Sequence, residues 1–111
     1  METNFNFKTI PQIWKDYRSW FIFLEGGFAS CKMCIWNDSP KEGVISDLFT
    51  PEVYRQQGFA SELLHFCENF AKTQGCDSIS LRSDSDNWVR NWYKKKGFKV
   101  ESSQVWLKKE I

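Results

Sequence analysis

The chain has 111 residues, 41% hydrophobic and 17% aromatic, with 15 lysines and arginines against 14 aspartates and glutamates. That composition suits a single folded domain spanning residues 1–111 and is too rich in aromatic residues for a disordered segment. The net charge of +1 gives no field to gather nucleic acid or anionic lipid; no apolar run reaches the ~18 residues of a membrane helix, and Met1-Glu2-Thr3-Asn4 lacks the order of a signal peptide, so the cytosol is the expected compartment.

In chain order, residues 1–19 mix polar and aromatic types around Pro11, with a short helical piece expected over residues 12–17. Residues 20–25 form an apolar run that predicts a strand. Gly26-Gly27 marks a hairpin turn, and residues 28–36 predict the returning strand. After the turn cluster Asn37-Asp38-Ser39-Pro40, residues 43–50 predict a further strand, stopped by Pro51. Ala60, Leu63, Leu64, Cys67, Phe70 and Ala71 then fall on one face of a helix that begins at or just after Gly58 and ends before Gly75.

Residues 78–81 predict a short strand. Val89, Trp92 and Tyr93 have helical spacing within residues 86–96, with Lys94, Lys95 and Lys96 at the negative end of the helix dipole and Gly97 beyond. Residues 98–101 and 105–108 predict two last strands. The order β-β-β-α-β-α-β-β implies an α/β (α+β) fold, a mixed sheet flanked by helices.

Cys31 and Cys34 have the CxxC spacing of some metal and redox sites. They fall on a predicted strand, where residues three apart face opposite ways, and His65 is the only histidine. No metal site is expected, and the cysteines read as reduced thiols.

The informative segment joins a strand to the long helix. The first turn of a helix has free N–H groups and the positive end of the dipole, which together favour an anion. Gly58 allows the backbone to approach that anion with no Cβ in between, and Ala60 is small where a phosphate oxygen would pass. Arg55-Gln56-Gln57-Gly58-Phe59-Ala60 resembles the Gln/Arg-x-x-Gly-x-Gly/Ala motif of the GNAT superfamily of N-acyltransferases. Asp86-Asn87-Trp88 through Tyr93 to Gly97-Phe98 is similar to that family's later Asn-x-x-Ala-x-x-(apolar)-Tyr-x-x-x-Gly-Phe helix, with Asp86 in the asparagine's place. The family commonly begins with a strand and two helices. Here residues 1–19 leave room for only a reduced N-terminal segment, so the acceptor side is expected to be open or completed by a second copy in a homodimer.

The resemblance implies acetyl-CoA as co-substrate and direct transfer of its acetyl group to a primary amine of a small molecule or a protein. It implies that the amides of Arg55, Gln56, Gln57, Gly58, Phe59, Ala60 and Ser61 hold the pyrophosphate. Leu48, Phe49 and Thr50, on a strand that splays from its neighbour, would take the pantetheine arm, and Asp86 and Tyr93 would lie against the cofactor. Tyr93 is the candidate acid for the leaving thiolate, with a core position as its other explanation. A lysine-like amine costs about 4–5 kcal/mol to deprotonate at pH 7, and three groups compete to help: Asp47 as base, Ser46 holding a water where some relatives have glutamate, and Glu25 on the neighbouring strand. Because Ser46 and Asp86 depart from the family pattern, a non-catalytic module that binds CoA or a protein partner stands as the alternative.

Overall fold

The computed structural model describes residues 6–83, 88–101 and 106–111. Among these residues seven strands form one sheet: β1 (Phe7–Ile13), β2 (Tyr17–Leu24), β3 (Ser30–Trp36), β4 (Glu42–Phe49), β5 (Ser78–Arg82), β6 (Lys99–Val100) and β7 (Trp106–Glu110). Two helices, α1 (Phe59–Thr73) and α2 (Trp88–Lys95), follow β4 and β5. The spatial order is β1-β2-β3-β4-β5-β7-β6, with β4 and β5 the parallel pair. This is the expected mixed α+β sheet with one more strand at its front.

That extra strand corrects the helix expected over residues 12–17. Residues 7–13 pair with β2 in an unbroken antiparallel register from Phe7↔Leu24 to Ile13↔Arg18, and residues 14–16 make the link to β2. Pro11 had suggested an interruption, but β1 is an edge strand, where a residue without an N–H is tolerated. So tight a link leaves no room for helices between β1 and β2.

The core lies on one face of the sheet. Alternation places Trp20, Ile22 and Leu24 of β2 and Cys31, Met33 and Ile35 of β3 on that face, all buried. All of these but Leu24 pack with Leu63, Leu64, Cys67 and Ala71, the buried stripe of α1. Tyr93 of α2 and the adjoining Phe98 belong to the same cluster. Cys31 is buried and Cys34 half-buried, as their opposite directions on β3 require. On the other face Ile10, Phe21 and Trp36 are exposed, which is where part of the large aromatic share goes. Among the described residues no helix is long and apolar enough to cross a membrane.

Two irregularities in β4 set up the site. Ser46 pairs with Lys32 but Phe49 pairs with Ser30, so Asp47 and Leu48 share the space opposite Cys31 as a β-bulge. Asp47 adopts φ 55° there, a left-handed conformation that aspartate tolerates better than most residues. The pairing of β4 with β5 also ends at Ile45↔Leu81, and residues 46–49 run on beyond it.

Candidate active site

Beyond the last β4–β5 pair a cavity of about 680 Å³ opens between the end of β4, the start of α1 and one face of α2. That volume is in the ordinary range for small-molecule sites. Leu48, Phe49 and Thr50 line its β4 side, Val89, Trp92 and Tyr93 its α2 side, and Gly58, Phe59, Ala60 and Ser61 its α1 side. The splay expected of β4 is thus present as the loss of pairing that makes room for the cavity.

Between β4 and α1 the chain makes a short 3-10 turn, Glu52–Tyr54. The Tyr54 amide donates to the Pro51 carbonyl (2.8 Å) and the Arg55 amide to Glu52 (3.2 Å). Gln56 (φ 63°) and Gly58 (φ 86°) then both take left-handed conformations before α1 begins. Alternation of left- and right-handed residues gathers successive N–H groups into a concave anion receptor. Glu62 donates the first helical bond, to the Gly58 carbonyl. Among the described residues, the amides of Gln56, Gln57, Gly58, Ala60 and Ser61 have no protein partner. A Cβ built on Gly58 would meet nothing within 4 Å, so the backbone is open on that side.

Two side chains expected at the cofactor are turned back to brace this turn. Arg55 donates through Nε to the Thr50 carbonyl (3.0 Å), and Gln57 through Nε2 to the Val53 carbonyl (3.0 Å). Arg55 and Gln56 still line the cavity; Gln57 does not. Asp86 lies outside the described residues.

Tyr93 reaches the cavity from α2 with its ring packed edge-on against Trp92 and Phe98. It is 8% exposed. Burial, with a smaller contribution from Cys31, raises the phenol above its ordinary value of 10.0, so it is protonated at neutral pH. The residue therefore belongs to the core and also lines the cavity.

The expected bases are not brought to the cavity. Ser46 and Asp47 are exposed and absent from its lining. Plain alternation would put Asp47 on the opposite face from Ser46. The bulge instead turns it outward, where its carboxylate lies 3.9 Å from Lys32, the strand partner of Ser46. Glu25 is bonded to the Asn6 side chain. Glu52, which sequence reasoning passed over, is the carboxylate in the lining. Tyr54, Val89 and Trp92 were also missed. Val89 and Trp92 share the helix face of Tyr93, a signal that was available; Glu52 and Tyr54 are placed by a fold-back that leaves no periodicity.

The model of the acetyltransferase (GNAT) family matches residues 3–98. The chain belongs to the GNAT family. Among solved structures, PaiA N-acetyltransferase from Thermoplasma acidophilum in complex with coenzyme A superposes with a TM-score of 0.67 at 20% identity, covering 86% of this chain and 62% of that one. A Klebsiella pneumoniae protein, itself only provisionally assigned as an acyl-CoA N-acyltransferase, gives a TM-score of 0.73 at 13% identity and covers 96% of this chain and 97% of that one. A GNAT acetyltransferase from Staphylococcus aureus gives 0.67 at 14% identity, covering 85% and 67%. These identities establish a shared GNAT fold, and the chain spans less than two thirds of the length of the PaiA structure. A comparison with curated proteins finds no match.

Proposed function

We propose that this GNAT protein is an N-acetyltransferase that moves an acetyl group from acetyl-CoA directly to a primary amine of a small molecule or protein. The observation that carries this is the set of amides at Gln56, Gln57, Gly58, Ala60 and Ser61, which have no partners among the described residues and lie in the turn beside the cavity. Such donors at a helix start fit the pyrophosphate of CoA. The coenzyme A bound to the PaiA neighbour supports a CoA-type ligand.

In this reading the backbone at Leu48, Phe49 and Thr50, free of β5, takes the pantetheine arm and aims the thioester past Tyr93. The amine nitrogen attacks the thioester carbonyl, the C–S bond of the tetrahedral intermediate breaks, and the Tyr93 hydroxyl gives its proton to the departing thiolate. A phenol held neutral by burial suits that task. Glu52 sits at the phosphate end, four residues before the first unpartnered amide, and Ser46 and Asp47 stand outside the cavity lining. In this reading solvent takes the amine proton; Asp84 and Asp86 lie outside the described residues. The four free cysteines fit a cytosolic location.

The outward turn of Asp47 favours one second reading, a module that binds CoA without turning it over. Release of free thiol from acetyl-CoA with a panel of amines, comparing the natural chain with Tyr93→Phe, separates the two. Turnover that drops in the variant supports the transferase; CoA binding with no turnover on any amine leaves the module. Mass spectrometry of cell extract incubated with labelled acetyl-CoA then identifies the acceptor.

A further inference from the structure

The amide-bearing turn at residues 55–58 is flanked by two aromatic residues, and a third ring touches both. Tyr54 closes the 3-10 turn and Phe59 opens α1. Phe28, which comes from the turn between β2 and β3, meets Tyr54 edge-on at 4.6 Å between centroids and stacks on Phe59 at 4.8 Å. Tyr54 and Phe59 meet edge-on at 6.2 Å. Aromatic pairs at such separations gain energy beyond their buried area and have directional preferences. One ring from a distant hairpin thus fixes both ends of the segment that carries the donors.

The hairpin is built to present that ring. The Leu24 amide donates to the Ala29 carbonyl (2.9 Å) and the Gly27 amide to the Leu24 carbonyl (3.1 Å), which closes the turn. Gly26 has φ 102°, and a Cβ there would fall 2.4 Å from Cε2 of Phe28. Glycine at 26 is what lets the Phe28 ring lie back over its own turn. Gln56, a non-glycine residue at φ 63°, is conformationally costly, so holding it needs restraint from outside the turn. Hydrogen bonds supply part of it, through Arg55 to Thr50 and Gln57 to Val53.

We infer that Phe28 is a positioning residue for the CoA cradle, a clamp that preorganises the turn amides from outside the site. The inference rests on the proposed CoA reading for its functional consequence, not for its structural one. Phe28→Leu keeps an apolar side chain but removes both ring contacts. Its expected effect is a loss of CoA affinity by calorimetry of about tenfold. Faster hydrogen exchange is expected at the Tyr54, Arg55 and Glu62 amides, whose bonds define the turn. Phe28→Tyr restores both, and Phe28→Met replaces the leucine variant if the latter does not fold. Phe70→Leu, which disturbs the Trp20–Phe70 contact elsewhere on α1, controls for general destabilisation. An affinity within twofold of the natural chain, or an equal loss in Phe70→Leu, overturns the clamp. If the natural chain binds no CoA, the proposed function fails separately. The exchange measurement then decides alone: acceleration at those three amides supports the clamp, and unchanged exchange refutes it.

Discussion

Replacing Gly58 by glutamate tests the anion site with a cost that can be worked out beforehand. The backbone at 58 has φ 86° and ψ 0°, and a Cβ there meets nothing within 4 Å. The damage to the fold is then the left-handed strain of an L-residue, about 1–2 kcal/mol, or roughly 4–8 °C in Tm for a domain of this size. The damage to binding is larger. A carboxylate about 4 Å from a phosphate charge costs about 4 kcal/mol at an effective dielectric near 20, close to 10³-fold in affinity. Physiological salt does not remove this, because the distance is inside the ~8 Å screening length. Gly58→Ala carries the same strain without the charge and should lose no more than about tenfold. The assay is calorimetric titration with CoA beside a thermal melt. A folded Gly58→Glu protein that binds within twofold of the natural chain would refute the placement of the diphosphate at these amides.

Tyr93→Phe is expected to lower kcat by about 10²-fold with little change in KM for acetyl-CoA, as for loss of a general acid, measured by thiol release. If solvent takes the amine proton, as proposed, kcat/KM for a lysine-like acceptor should rise about tenfold per pH unit between pH 7 and 9, tracking the free amine. A plateau below pH 8 would reveal a base within the site. Stability should fall in alkali. The Cys67 thiol is held well above its ordinary 9.0, chiefly by its contact with Cys31 and then by burial, and Tyr93 is also raised. The unfolded chain gives up these protons first, so stability is complete below the ordinary thiol value and is lost as pH rises toward the folded values; urea melts from pH 7 to 10.5 follow it. Gly26→Ala should cost about 2–4 kcal/mol, from left-handed strain and collision with Phe28, read from the same melts.

Much of this was legible from the residues. The period of Leu63, Leu64, Cys67 and Ala71 fixed the buried face of α1, because burial of a helix stripe is a local pattern. Gly58 marked the start of α1, because its left-handed backbone is a local demand on residue type. The short β1 was misread. Its Pro11 is acceptable only at a sheet edge, and which strand lies at an edge is settled by all the strands together. Asp47 was placed by simple alternation, which holds until a bulge interrupts it, and a bulge belongs to the pairing of two strands.

The sequence by itself therefore determined the family, the order of elements from β2 onward and the position of the turn that opens α1. These depend on residues close together in the chain. Only the tertiary structure decided that β4 leaves β5 after Ile45, that Asp47 points to Lys32 and away from the cavity, and that Phe28 bridges Tyr54 and Phe59. Each of these joins segments far apart in sequence, and their geometry is set by packing, which no local spacing records.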